Sequence, residues 1–257
     1  MKIAIFQPNI NNYQTIDNKI SKIKEILHSN SSLDVLVLPE LFLTFYHSAQ
    51  EILKHSTQNL KMAEKEILLL SAQYQCSIVF GYPEIDNHQR YNSALITGTN
   101  GEILYNHRKT FLAPNIMEQE LFSTGNNFEI FSIGGIKASI LICYEFEFPE
   151  IVRKLARLGA QIIFIPTALG KDFLFVANEM LKTRAFENQI VLVYANYAGK
   201  SQIVNFCGNS SIVNEKGEDL LRLGDREEMA SIEVPFLSQD LRRKKLPYFK
   251  DLTKFEV

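Results

Sequence analysis

Two runs, Val35-Leu36-Val37-Leu38 and Ile162-Ile163-Phe164-Ile165, have no polar position along them. A strand that is apolar on both sides needs cover on both sides. This chain therefore cannot fold as a single sheet with one wet face, because its central strands must lie between other layers. Strand-like runs occur at residues 2–7, 34–39, 77–82, 91–98, 102–108, 128–133, 136–142, 161–166, 190–195, 209–214 and 228–234. Most are rich in Ile, Val, Leu and Phe and end at Gly, Asn, Pro or Asp. Helical patterns lie between them. Ile16, Ile20, Ile23 and Leu27 share one face, with Thr15 placed as an N-cap. Residues 50–74 read as one helix and residues 172–188 as another. Pro149 suits a first helical position, Ile151, Leu155 and Leu158 form a stripe, and Gly159 can close that helix. Residues 91–108 read as a hairpin turning at Gly98-Thr99-Asn100-Gly101. The alternation of helices and strands predicts an α/β fold.

At 257 residues, 46% of them hydrophobic, the chain can build one sizeable core. No linker or repeat divides it, so a single domain is expected over 1–257, with a C-terminal extension from about residue 236. A net charge of −2 provides no field for nucleic acid or an anionic membrane. Arg242-Arg243-Lys244-Lys245 is the one basic run of four, and it reads as a solvated stretch. No apolar stretch approaches membrane-spanning length. Cys76, Cys143 and Cys207 are too few, and odd in number, for a disulfide framework. The Met1–Pro8 segment reads as a strand and turn rather than a signal sequence. Together these features predict a soluble cytoplasmic protein.

Cys143 ends the apolar run Ile140-Leu141-Ile142 and begins Tyr144-Glu145-Phe146-Glu147-Phe148-Pro149-Glu150. The commonest role of a free cysteine is that of a small buried hydrophobe, and this suits Cys76 and Cys207. Cys143 differs, because three glutamates follow it and a helix N-terminus points back toward it. Such a setting favours a thiolate and can hold an oxyanion. Glu40 follows Leu36-Val37-Leu38-Pro39 and precedes Leu41-Phe42-Leu43. A carboxylate between apolar segments has a raised pKa and can act as a base near neutrality, although strand-end loops also carry solvated glutamates. Lys109, in His107-Arg108-Lys109-Thr110, reads from spacing alone as one exposed cation of a basic patch. Placed near Cys143, it would stabilise a thiolate and an oxyanion. No histidine has metal-ligand spacing. A Cys–His hydrolase using His107 or His47 has no local pattern behind it. The glycines form no phosphate-binding loop.

Taken together and in order, these segments resemble the nitrilase superfamily of carbon–nitrogen hydrolases. The matching stretches are Val37-Leu38-Pro39-Glu40, Tyr105-Asn106-His107-Arg108-Lys109-Thr110-Phe111-Leu112 and Ile142-Cys143-Tyr144-Glu145. Gly81-Tyr82-Pro83-Glu84, Tyr91-Asn92-Ser93-Ala94, Arg184-Ala185-Phe186-Glu187-Asn188-Gln189 and Tyr194-Ala195-Asn196 add to them. The resemblance spans residues 2 to about 235. It implies a four-layer α-β-β-α sandwich that pairs through its helical faces into a homodimer or higher homo-oligomer. It also implies an amidase that takes a small primary amide through a cysteine thioester and uses no metal or other cofactor. In that scheme Glu40 is the base and Cys143 the nucleophile, while Lys109 and the Tyr144 N–H hold the oxyanion. A second glutamate, Glu118 with Glu120 as the alternative, orients Lys109 and the substrate nitrogen. The same resemblance nominates Tyr46, Tyr144, Glu145 and Asn196 as substrate-binding residues.

Glu147-Phe148-Pro149-Glu150 and Arg184–Gln189 look most like the aliphatic and amino-acid amidase branch. There, Glu145 replaces a common Asp and Phe45 a common Gly. Glu147 has two readings, a contact for a substrate amine or a salt bridge to Arg184. The rival activities are hydrolysis of a nitrile or of an N-carbamoyl amine. A catalytically silent scaffold acting through its dimer surface is the non-enzymatic rival.

Overall fold

The computed structural model describes residues 1–46, 48–55, 57–114 and 116–255. Two six-stranded sheets face each other. The first holds β1 (Lys2–Gln7), β2 (Val35–Val37), β3 (Ser77–Asp86), β4 (Gln89–Thr97), β5 (Ile103–Arg108) and β12 (Glu228–Glu233). Their spatial order is β12-β1-β2-β3-β4-β5. The second holds β6 (Phe131–Ile133), β7 (Ile136–Ile140), β8 (Ile162–Pro166), β9 (Val191–Ala195), β10 (Ser211–Val213) and β11 (Asp219–Arg222), in the order β11-β10-β9-β8-β7-β6. Both sheets follow one plan. The central strands β1-β2-β3 and β7-β8-β9 are parallel, and the outer strands are antiparallel.

Strand alternation decides which core each residue enters. Ile3, Ile5, Val35, Val37 and Val79 point between the sheets, where they meet Ile140, Ile162, Phe164, Val191 and Val193. Their neighbours Ala4, Phe6, Leu36, Ile78 and Phe80 point outward. There they pack on Ile20, Ile23 and Leu27 of α1 (Ile16–Ser29) and on Leu60, Ile67 and Leu70 of α3 (Thr57–Tyr74). On the opposite side, Ile163, Ile165 and Leu192 pack on Val152 and Leu155 of α5 (Pro149–Arg157) and on Leu181 and Ala185 of α6 (Leu181–Asn188). The result is the helix–sheet–sheet–helix sandwich, and both wholly apolar runs lie at sheet centres.

Local signals account for several boundaries. Thr15 caps α1 by accepting the Asn18 N–H at 3.1 Å. The β4–β5 hairpin turns where the Gly101 N–H donates to the Gly98 carbonyl at 3.0 Å. Gly101, at φ +80°, supplies the left-handed residue, and a Cβ there would lie 2.8 Å from the Leu68 carbonyl oxygen.

Three expectations need correction. The single helix over 50–74 is two helices, α2 (Ala49–Leu53) and α3. Buried Ile52 and Leu60 stay in helical phase across the break, so periodicity carried no sign of it. Residues 172–188 are likewise subdivided into a 3₁₀ turn at Lys171–Phe173, a π-helical segment at Val176–Met180 and α6. The basic run is only partly solvated. Arg242 lies over the Phe186 ring at 4.6 Å, and Arg243 donates to the Ala160 carbonyl at 2.9 Å. These contacts, with Gln239 donating to the Gln161 carbonyl at 2.6 Å, dock α7 (Leu237–Lys245) against α6 and the turn that leads into β8. Beyond it, α8 (Tyr248–Leu252) places Phe249 under Arg243. Among the described residues no helix is long and apolar enough to cross a membrane.

Candidate active site

Four chain segments converge at one end of the two sheets. Just past β2, the chain turns through Leu38-Pro39-Glu40-Leu41 with Leu41 at φ +51°. Gly81 of β3 lies directly under this turn, where a Cβ would sit 2.3 Å from the Leu41 nitrogen. The bare glycine thus lets the Glu40 turn settle onto the sheet. Lys109 follows β5, and its N–H donates to the Asn92 carbonyl at 2.8 Å. Glu118 comes from the short helix α4 (Ile116–Leu121). Cys143 follows β7 and opens a 3₁₀ turn, Cys143–Glu147. Its φ of +47° puts a non-glycine residue in the left-handed region. That conformation costs about 1–2 kcal/mol and is characteristic of functional turns.

Lys109 is the hub of the cluster. Its Nζ lies 2.6 Å from Glu40 Oε1 and 2.8 Å from Glu118 Oε2, with all three side chains buried. Glu40 Oε1 also accepts from Asn92 Nδ2 at 2.7 Å, and the Tyr197 hydroxyl donates to the Glu40 carbonyl at 2.6 Å. The other carboxylate oxygen, Glu40 Oε2, is buried without a hydrogen-bond partner among the described residues. Glu118 accepts from Tyr46 Oη at 2.6 Å and from the Ala113 N–H at 3.0 Å. Glu120 is exposed, so Glu118 is the glutamate that meets Lys109. Asn92 was not singled out as a site residue. The signal was there, since Asn92 lies in the Tyr91-Asn92-Ser93-Ala94 stretch that carries the family resemblance.

These contacts split the two carboxylates. Burial raises the Glu40 pKa; Lys109 opposes this, and the Glu118 charge adds to it. Glu118 is also raised by burial, but Lys109 and the bonds from Tyr46 and Ala113 outweigh that and hold it below the usual range. Burial works against the Lys109 charge, yet the two glutamates keep the ammonium firmly protonated. Cys143 departs from expectation. Burial pushes its thiol pKa well up and the Glu40 charge pushes it further, beyond what Lys109 and a backbone N–H of Ala168 recover. With both carboxylates ionised, one shared ammonium leaves the cluster at a net −1, a field that works against a thiolate.

Beside the cluster lies a cavity of about 350 Å³. Cys143, Tyr46, Tyr144, Glu118 and Glu147 line it. Tyr46 and Tyr144 are thus where a substrate contact would be made. Glu145 and Asn196 are not, and for them the structure corrects the expectation. Glu145 is fully buried, with Oε1 on the Thr110 N–H at 2.6 Å and Oε2 on the Ile142 N–H at 2.8 Å. The same Oε2 pairs with His107 Nε2 at 2.7 Å. This carboxylate therefore clamps the Cys143 turn to the end of the Lys109 strand. Asn196 accepts from the Leu169 N–H at 2.9 Å and donates to the Leu169 and Gly208 carbonyls at 3.2 and 2.9 Å. It shapes the 168–170 wall from behind. Both amino-acid types looked accessible in sequence because a strand-end position does not say which way its side chain turns.

Glu147 does not pair with Arg184 through its side chain. Arg184 bonds the Glu187 carboxylate at 3.2 Å and only the backbone carbonyl of Glu147, at 3.4 Å. His107 is held by Glu145 away from the cavity, and His47 lies outside the described residues. A Cys–His pair through His107 is therefore not formed. Cys76 and Cys207 are buried, and burial pushes their thiols up to about 12 and about 11. Among the described residues no group of three His, Cys, Asp or Glu side chains is placed to hold a metal.

Comparison with known proteins points the same way. The sequence model of the carbon–nitrogen hydrolase family matches residues 2–240. The chain is 32% identical over 267 residues to the "hydrolase in pqqF 5' region" of Pseudomonas protegens, covering 99% of this chain and 92% of that one. It is 30% identical over 222 residues to the 2-oxoglutaramate amidase of Bacillus subtilis, covering 86% and 85%. In structure it resembles the amidase of Nesterenkonia sp. AN1, from the nitrilase superfamily. A cysteine-to-alanine mutant of that amidase in complex with butyramide aligns at a TM-score of 0.85 and 29% identity, over 96% of this chain and 95% of that one.

Proposed function

The chain belongs to the carbon–nitrogen hydrolase family, and from that premise we propose that it is an amidase cleaving a small primary amide to the acid and ammonia through Cys143. The observation that carries this reading is the divided role of the Glu40 carboxylate. One oxygen is fixed by Lys109 and Asn92, and the other is buried without a partner among the described residues, in the same cluster as Cys143, whose raised pKa favours the proton staying on sulfur. A carboxylate of raised pKa is matched to taking that proton as the sulfur attacks, and a resting thiolate is not needed.

In this scheme Glu40 Oε2 accepts the thiol proton while sulfur bonds to the amide carbon. The carbonyl oxygen takes the negative charge, facing Lys109 Nζ and the Tyr144 N–H. That N–H lies in the first turn of the 3₁₀ segment, ahead of Glu145, the first residue to donate within it. Glu40 then passes the proton to the departing nitrogen. Ammonia leaves a thioester, and water activated by the same carboxylate releases the acid. Glu118 and Tyr46 keep Lys109 in place and face the leaving nitrogen.

The test is ammonia release from a panel of short amides, nitriles and N-carbamoyl amines by the wild type and by Cys143→Ala. Amides should be turned over by the wild type alone, through an acyl adduct seen as a mass increase. Equal rates from the two proteins would end the assignment, and faster turnover of nitriles or carbamoyl amines would reassign it within the family. We further infer that the chain acts as one domain in the cytoplasm, as a homodimer or higher homo-oligomer. The free, sparse cysteines and the family resemblance support this, and light scattering at micromolar concentration checks the assembly.

A further inference from the structure

Resting on the amidase reading above, the geometry points to a substrate class: we propose that the amide carries a cationic amine, bound by the Glu147 carboxylate four residues beyond the nucleophile. The ionisable side chains lining the cavity are Glu118, Glu147 and Asp172, with Tyr46, Tyr144 and Cys143. No lysine, arginine or histidine lines it among the described residues. The nearby cation, Lys109, is already shared between two carboxylates and has no charge to spare for a substrate anion. Glu118 is committed to Lys109, Tyr46 and Ala113.

Glu147 is different. Its carboxylate has no hydrogen bond or ion pair among the described residues, although Arg184 is close enough to reach its backbone carbonyl. Half-buried against the cavity, it is left with its charge only partly hydrated, and burial raises its pKa by more than the Lys109 charge, which makes no ion pair with it, lowers it. An ammonium ion would supply the missing counter-charge. The walls between are mostly apolar, through Ala113, Pro114, Leu169 and Val204, which suits a methylene chain rather than a second polar group. Cys143 and Glu147 both line this one cavity of about 350 Å³, four residues apart on one turn. A carbonyl at the sulfur and an amine at Glu147 are therefore joined by a short chain. Asp172, exposed and also on the cavity lining, extends the negative field outward and disfavours anionic amides.

The experiment compares three chains of similar length, δ-aminovaleramide, hexanamide and glutaramate, which are cationic, neutral and anionic. Wild type should take the amino amide over hexanamide by tenfold to a hundredfold in kcat/KM, the scale of one charge-assisted hydrogen bond. Glutaramate should be poorest. Glu147→Gln should bring the amino-to-neutral ratio close to one, mainly through KM, and Glu147→Arg should turn the order toward glutaramate. A wild-type ratio near one, or a preference that survives Glu147→Gln, overturns the proposal. Calorimetric binding of the same compounds to Cys143→Ala separates it from the hydrolase reading. Should wild type turn over no amide, selective binding of the amino amide still upholds the cation site, and equal or absent binding sinks it.

Discussion

Replacing Glu40 with glutamine is the most direct probe of the cluster, because it changes one charge and almost no volume. The amide oxygen can occupy the Oε1 position and keep the bonds from Asn92 and Lys109, at 2.7 and 2.6 Å in the native site. The amide nitrogen then sits at the unpartnered Oε2 position, where it can donate but cannot accept a proton. Loss of a general base costs about 10²–10⁴-fold in rate, or about 3–5 kcal/mol in the barrier. The same change takes the cluster from −1 to neutral, and Glu40 is the largest charge acting to raise the Cys143 pKa. A unit charge at about 6 Å, with an effective dielectric of about 20, acts by about 3 kcal/mol, on the order of two pH units. Glu40→Gln should therefore be almost inactive, yet its Cys143 should react with iodoacetamide at lower pH than in the wild type. The assay pairs kcat/KM on a turned-over amide with a pH profile of alkylation, read by mass spectrometry at Cys143. Activity within tenfold of wild type, or an alkylation midpoint that moves to higher pH, refutes the role given to the carboxylate. Melting temperature controls for misfolding, since glutamine keeps the side chain's shape and its bonds from Asn92 and Lys109.

Three further outcomes follow from particular contacts. Cys143→Gly should be more stable than Cys143→Ala by up to about 1 kcal/mol in chemical denaturation, because glycine relieves the left-handed φ of +47°; the reverse order would mean that the turn stores no strain. Glu145→Gln should lower stability by about 2–3 kcal/mol and reduce kcat more than it raises KM, since an amide nitrogen must face one of the three donors now satisfied at Thr110, Ile142 and His107; a wild-type melting curve would contradict the clamp. Lys19, buried in α1, has its pKa lowered by burial to about 7, although its ammonium bonds the Leu43 carbonyl at 3.0 Å and lies 3.9 Å from the Phe45 ring centroid. With the folded pKa below the ordinary 10.5, the unfolded chain binds more protons between these values, so this group makes stability rise with pH across that window. Lys19→Met should flatten that rise in urea melts between pH 7 and pH 10, and an unchanged slope would show that burial does not control this lysine.

The chemistry-bearing residues were legible in sequence to different depths, for reasons that can be traced. Cys143 and Glu40 announced themselves because a polar group directly after a fully apolar run must sit at a strand end. Lys109 did not, since a lysine after His107-Arg108 looks the same whether it is solvated or buried. Only the family resemblance raised it. Glu118 and Glu120 are two residues apart in a short helix, and α4 turns one inward and the other to solvent, a rotation that local sequence does not encode. Glu145 and Asn196 were assigned to the substrate, yet both face backbone donors and acceptors that come from distant segments.

What the sequence alone determined is the layered α/β architecture. Strand alternation and helical periodicity are local, and Ile3 and Ala4 declare opposite faces without reference to any other segment. What only the tertiary structure decided is the ionisation of the site. Coulomb and burial effects depend on through-space distance, and here they act between residues 69 and 9 positions apart in the chain. The arrangement of two carboxylates around one ammonium, and the raised thiol pKa that goes with it, exists only once those segments have met.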